Sequence, residues 1–237
     1  MSLLTIVSDA AKRIGLNETI STVIGNTAEN VIRLLALSNE EGEELANIYR
    51  WQRLCSESTF TSVATESQGA ITTLAGSDFN YIANDTVWNR TLMRQFHPIT
   101  DVQWQQLKAR VQTGLPQYFR IRGNTFRVYP TMTAGETVAF EWYSKNWCSD
   151  VTGATTRSAW SVDTDIGILD EGLMKLGLIW RWKRTQGLDY TEDFGAYQLR
   201  VQNAASRDGA KQHLRLTPSG IGRLMSNYNV AEGSWSL

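Results

Sequence analysis

The chain carries two histidines, His97 and His213, and two cysteines, Cys55 and Cys148. Zinc sites and nucleophile–base pairs draw on these residue types, yet no HExxH, HxH or Cys/His set can be assembled from positions so scattered. A serine triad would need one histidine as base beside a GxSxG elbow, and no elbow occurs. His97-Pro98 falls between an expected strand and an expected helix cap, so His97 is predicted to face solvent. The cysteines stand about 90 positions apart without a CxxC motif, which favours two ordinary, partly buried thiols. No Walker loop is present. Gly220-Ile-Gly222 matches two thirds of a dinucleotide fingerprint, but no strand precedes it and Met225 occupies the third glycine's place. Neither a cofactor nor a metal is expected.

Glycan cleavage requires only two carboxylates, so the acids need separate weighing. Glu40, Glu41, Glu43 and Glu44 form one cluster; Asp163, Asp165, Asp170 and Glu171 form another. Both fall where helices are predicted to begin, and the positive end of the helix dipole together with solvent accounts for them. Asp78 and Asp85, in polar loops, are the best remaining catalytic pair, against the simpler reading as turn acids. Arg120, Arg122 and Arg127 alternate near Tyr118, Phe119, Phe126 and Tyr129, a combination that suits single-stranded nucleic acid. A hairpin with one wet and one packed face explains it equally. Arg181, Lys183 and Arg184 are expected at a helix end, where the dipole favours cations.

Behind these residues the hydrophobic spacing predicts an α+β chain. Leu3, Leu4, Val7, Ala10, Ala11 and Ile14 recur at helical spacing over 2–14, with Gly15 as the stop. A second helix is expected over 27–37 and a third from Ser38 to about Leu54, because Ser38 and Glu41 read as a capping box. The inward stripe of that third helix would be Leu45, Ile48, Tyr49, Gln52 and Leu54, weakened slightly by Gly42.

From Glu57 the period falls to two, with strands expected over 59–64, 70–74, 81–82 and 86–88. A short helix capped by Thr100 is expected over 101–111. Phe119 and Ile121 alternate with arginines, Gly123-Asn124 follows, and Phe126 and Val128 alternate again, which predicts a β-hairpin. A last strand over 137–143 places Val138, Phe140 and Trp142 on one face.

After a loop over 146–159, Asp163 or Asp165 is expected to cap a helix with Ile166, Leu169, Leu173, Leu176 and Trp180 inward, ending near Gly187. Another helix over 193–207 should bury Phe194, Tyr197, Val201 and Ala205. The expected organisation is a helical bundle (1–55 and 160–208) interrupted by an inserted antiparallel β module with a short helix (56–148), followed by an extended C-terminal arm (209–237). In that arrangement the ends of the insertion, and so the two cysteines, would lie near one another.

The chain of 237 residues is 42% apolar and 20% charged with net charge −1, enough for a core and too balanced for a basic nucleic-acid field. No run reaches the roughly 18 apolar residues of a membrane helix. Asp9, Lys12 and Arg13 interrupt the place where a secretory apolar region would stand, so use in the cytoplasm, or exit by a route that reads no such signal, is expected. The arm lacks any period yet holds Arg215, Leu216, Pro218, Ile221, Arg223, Leu224, Met225, Tyr228 and Trp235. Large apolar groups on an arm suit anchors along a partner or an arm folded back on its own chain, and the nine tryptophans suit interfaces or a tryptophan-rich core alike.

The segment Glu44-Leu-Ala-Asn-Ile-Tyr-Arg-Trp51-Gln-Arg-Leu54, followed by Thr59-Phe-Thr61, resembles the helix-to-strand step of the head-to-tail adaptors of short-tailed bacteriophages. This family is also called tail accessory factors or tubular tail protein A. The pair Tyr118–Pro130 and Ala134–Tyr143 is similar to strands of phage neck proteins, and the opening helix ending Ala11-Lys-Arg-Ile-Gly15-Leu fits as well. The resemblance implies a structural protein, not an enzyme. It implies a homo-oligomeric ring, typically of twelve copies, beneath the portal protein, with a tail nozzle or fibre protein below. Double-stranded DNA would pass through the channel without sequence-specific binding, no membrane would be involved, and the arm residues named above would bind the portal. Two competitors remain at this point. One is a glycan-active tail enzyme acting through Asp78 or Asp85; the other is a sugar-binding β module stacking sugars on exposed Trp88, Trp104 and Trp142.

Overall fold

A computed structural model describes residues 2–16, 19–83, 85–109 and 117–209. Of the expected arm over 209–237, residues 210–237, with all nine of its proposed anchor residues, lie outside the described residues.

Helix α1 spans Leu3–Arg13, and Ser2 caps it by accepting from the Thr5 amide. Its other free amides are met from far along the chain: Leu3 N donates to the Asp165 carbonyl at 2.8 Å and Leu4 N to that of Asp163 at 3.1 Å. Helix α2 is one continuous helix, Glu29–Ile48, where two were expected. Ser38 does not cap a new helix. It is buried in mid-helix, and its hydroxyl donates back to the Leu35 carbonyl at 2.8 Å, the usual resort of a serine inside a helix. The helix also stops earlier than expected. Ile48 and Tyr49 are exposed, whereas Trp51 is buried and donates its indole N–H to the Leu45 carbonyl at 2.7 Å, satisfying one of the last free carbonyls of α2. Gln52–Leu54 then forms a single 3-10 turn.

The strands are β1 (Cys55–Thr61), β2 (Ser67–Ala70), β3 (Phe79–Ile82), β4 (Trp88–Asn89), β5 (Arg94–Pro98), β6 (Gln117–Arg122), β7 (Thr125–Tyr129) and β8 (Thr137–Ser144). Helix α3 (Ile71–Leu74) replaces most of the strand expected over 70–74, and α4 (Asp101–Ala109) lies between β5 and β6. Thr100 and Gln103 cap α4 reciprocally, amide to side chain in each direction. The eight strands form one sheet in the order β1-β8-β4-β5-β6-β7-β2, with β3 also on β8. Its pairings are antiparallel except β5 with β6, and α4 supplies the crossover that a parallel pair requires. The expected hairpin is β6–β7, in register from Tyr118 opposite Tyr129 to Arg122 opposite Thr125. Gly123 and Asn124 both have positive φ, at 55° and 60°, as a two-residue turn matching strand twist demands.

Beyond β8, short strands β9 (Cys148–Ser149), β10 (Thr156–Arg157) and β11 (Ile166–Gly167) make a separate small sheet. Helix α5 is Glu171–Thr185, capped by Asp170, which accepts from Gly172 N. Asp163 and Asp165 were expected to cap it and do other work. Asp163 accepts the Val23 and Ile24 amides at 3.0 and 2.7 Å. Asp165 is buried and accepts the Ser161 and Val162 amides and Arg157 Nη1. Burial opposes its charge, but those amides and the guanidinium hold its carboxyl below the usual range. Ile166, expected in the helical stripe, belongs to β11. Helix α6 spans Thr191–Arg207 with Tyr197 and Val201 buried. Among the described residues the fold class is therefore α+β.

Two cores result. One is helical, with Leu3, Val7, Leu34, Leu45, Leu173 and Leu178 at its centre. The other fills the sheet with Phe96, Phe119, Phe126, Val128, Val138, Phe140 and Trp142. Strand β8 joins them by alternation: Phe140 and Trp142 point into the sheet core, and Tyr143 packs into the helical one. Each fully buried aromatic or aliphatic side chain contributes roughly 1.5–3 kcal/mol.

Candidate functional site

The most unusual chemistry of the chain is buried between α2, α5 and α6. Arg181, in the middle of α5, is 2% exposed and faces three carboxylates of α2. Its Nε donates to Glu41 Oε2 at 2.7 Å, while Nη1 and Nη2 donate to Glu40 and Glu44. The guanidinium also lies 4.6 Å from the centre of the Trp180 ring, within the range of a cation–π contact. Glu41 is fully buried. Burial outweighs its bond to Arg181 and pushes its carboxyl up to about 7. The other Glu41 oxygen is turned toward the buried Tyr197 hydroxyl of α6 without closing a well-formed hydrogen bond. Burial raises the Tyr197 phenol as well.

One glycine lets α2 and α5 approach this closely, and a second lets a tryptophan from beyond β8 pack on α2. A Cβ at Gly177 of α5 would overlap the Glu41 carboxylate, and one at Gly42 of α2 would stand 2.5 Å from the Trp147 ring. Gly42 therefore does not merely weaken its helix: it is the seat of a fully buried tryptophan. The expectations for Glu40, Glu41 and Glu44 as first-turn acids, and for Arg181 as a helix-end cation, are corrected accordingly. Glu41 and Arg181 are interior residues and clamp the bundle.

On the other side of α5 an open groove of about 1180 Å³ runs between α1, the Trp51 turn, α5 and α6. Its walls include Trp51, Leu169, Leu176 and Leu199, with Arg13, Arg53, Lys175, Arg200 and Arg207 around them. Lys175 pairs with Asp9 at 2.8 Å, and Arg200 approaches Asp170 at 3.5 Å. The chain leaves α6 at the edge of this groove, where Asp208 accepts the Gln52 amide at 2.6 Å.

The other sequence candidates are scattered. Asp78 accepts the Ser144 hydroxyl at 2.7 Å. Asp85 sits in a turn with φ 67°, its carbonyl accepting from Gln95 Nε2. His97 is an exposed residue of β5 rather than of a loop. Among the hairpin arginines, Arg120 pairs with Asp101 at 2.6 Å and Arg127 with Glu66 at 2.9 Å, while Phe119 and Phe126 are buried. The packed-face reading of the hairpin accounts for all four. Trp104 and Trp142 are 2% and 4% exposed, so neither is a platform for a sugar. Cys55 and Cys148 are free thiols in two different sheets, and burial raises the Cys148 thiol to about 12.

In this arrangement the strongest charges join helices to one another, and the aromatic residues fill two cores. The chain belongs to the SU10 adaptor protein family, which it matches over residues 1–227, a family of phage head-to-tail adaptors. That membership places it in the neck or tail of a virion. The match extends through the arm positions from Arg215 to Met225 and stops short of Tyr228 and Trp235. No curated protein matches the chain. No described helix is long and apolar enough to cross a membrane.

Proposed function

We propose that the chain forms a homo-oligomeric ring, of twelve copies, beneath the phage portal and links it to the tail nozzle or fibre protein, with the genome passing through its channel. The family match over residues 1–227 carries this reading. Two physical features support it. A closed ring needs two unlike, complementary faces on every copy, and the helical bundle has an acidic face on α2 and a basic groove beside α5. The near-neutral net charge also suits a DNA channel, because many phosphate contacts would slow passage. In this reading Arg215, Leu216, Pro218, Ile221, Arg223, Leu224, Met225, Tyr228 and Trp235 bind the portal.

Mass photometry of the purified chain, alone and with the matching portal ring, tests the proposal. One added copy per portal subunit is the expected result, and removal of residues 211–237 should abolish the addition while leaving a folded chain. No association at any salt concentration would overturn the adaptor assembly, and unchanged docking of the truncated chain would overturn the role of the arm.

A further inference from the structure

The geometry points to the contact that closes the ring: the groove beside α5 and α6 receives the acidic stripe of α2 from a second copy of this chain. The inference rests on the ring reading above and names its surfaces.

The stripe is Glu40, Glu43, Glu44, Asn47 and Ile48, which together line a shallow depression on α2. Their spacing of three and four residues puts them on one helix face. It ends in Ile48, an apolar side chain 52% exposed. The groove repeats that periodicity on α6, where Ala196, Leu199, Arg200, Asn203 and Arg207 line it, and Leu199 is 61% exposed. A helix ridge and a groove walled by another helix are complementary in shape.

Charge decides the occupant. The groove wall holds five cations, Arg13, Arg53, Lys175, Arg200 and Arg207, against three carboxylates, Asp170, Glu171 and Asp208. The α2 face has Glu40, Glu43 and Glu44 beside the single guanidinium of Arg181, with Glu41 turned inward and fully buried. The groove is thus net positive and the stripe net negative. The chain's own segment beyond Gly209 has Lys211, Arg215 and Arg223 against Glu232, the same sign as the groove, so it is the poorer occupant.

Position decides that the contact lies between copies. On α5, Gly172, Lys175 and Leu176 line the groove, whereas Gly177 and Arg181 meet α2. At about 100° per residue these two sets point in roughly opposite directions. One copy therefore presents the stripe on one side and the groove on the other, which is the head-to-tail arrangement of a ring and not the self-matching patch of a two-fold dimer.

The test is photo-cross-linking of the full chain with a benzophenone amino acid in place of the exposed Leu199, assembled on the portal ring, followed by peptide mapping. The expected product joins position 199 of one copy to the α2 peptide of another. Assembly should weaken about tenfold with Glu43→Lys or with Arg207→Glu, since like charges then face one another, and should recover when one chain carries both. Cross-links to residues 210–237 or to the portal, on a ring that has assembled, would overturn this contact and leave the ring reading intact. If wild-type chain adds no copies to the portal, the ring reading fails and the contact with it.

Discussion

Replacing Arg181 by methionine removes the cation and keeps most of the side-chain volume. The consequence follows from the burial of its partners. Glu41 is fully buried, and its Oε2 accepts from Arg181 Nε at 2.7 Å. Stranding a buried charge by deleting its partner costs about 3–5 kcal/mol. Loss of the contact with Trp180, buried on both sides, adds about 2 kcal/mol. Since a domain has roughly 5–15 kcal/mol of stability in total, the variant should be severely destabilised at pH 9, above the Glu41 value of about 7. At pH 5 the cost should shrink, because Glu41 escapes its stranded charge by taking up a proton.

The assay is urea denaturation followed by tryptophan fluorescence, with Trp147 and Trp180 as reporters inside the bundle. The companion variant Arg181→Met with Glu41→Leu should recover most of the loss, since an apolar pair of similar volume needs no counter-charge. Refutation is simple to recognise. A single variant within about 0.5 kcal/mol of wild type, the range of surface substitutions, would mean the guanidinium is not the partner of a buried charge. A double variant no better than the single would mean that packing, rather than charge, sets the cost.

Gly177→Ala and Gly42→Ala should each destabilise by about 1–3 kcal/mol, the cost of overpacking, because their methyl groups would meet the Glu41 carboxylate and the Trp147 ring; thermal melts of each would show it. Glu41→Gln tests the raised carboxyl. The folded value is about 7 against 4.5 for the free group, so the stabilisation from protonated Glu41 is complete below pH 4.5 and lost as pH rises through about 7. The amide does not titrate, so the variant should gain on wild type by about 3 kcal/mol across that window; a difference independent of pH would contradict the shift. Asn124→Ala, at φ 60°, should cost about 1 kcal/mol, because alanine lacks the short polar side chain that eases asparagine into the left-handed region and loses the bond to Thr72 Oγ1, read as a lower urea midpoint with unchanged slope.

Which parts of the molecule are legible in the sequence depends on how local their causes are. The β6–β7 hairpin is readable because alternation and turn chemistry sit within a dozen consecutive residues. The same holds for α1, α4 with its Thr100–Gln103 cap, and the Tyr197–Val201 face of α6. Ser38 misleads because serine followed three residues later by glutamate marks a helix start only when both side chains are free to turn to the backbone. Here Glu41 is held by Arg181, 140 positions away, so the helix runs on. Strand β5 escapes notice because only Phe96 of its five residues is buried and its parallel partner lies beyond α4. The helix expected from Asp163 begins at Glu171, because the carboxylates of Asp163 and Asp165 are taken up by the amides of Val23 and Ile24 and of Ser161 and Val162 instead. One signal of the clamp was available: Leu34, Ser38, Glu41 and Leu45 share a face of α2, and Arg181 interrupts the run Leu178–Trp182, so each charge falls on a buried stripe.

That location gives the clamp a consequence beyond stability. A ring closes only if the angle between its two contact faces is the same in every copy, because any error is repeated around the ring. The stripe belongs to α2 and the groove to α5 and α6, so the angle is set by how α2 sits on α5. Apolar side chains alone permit small shifts along such a helix pair at low cost. A guanidinium gripping Glu40, Glu41 and Glu44 permits one register, since sliding α2 by a residue would separate all three oxygens from their donors. Buried ion pairs serve stability poorly compared with apolar packing and serve register better. On that argument the variant with Arg181→Met and Glu41→Leu, stable as it should be, is the one in which folding and ring closure come apart.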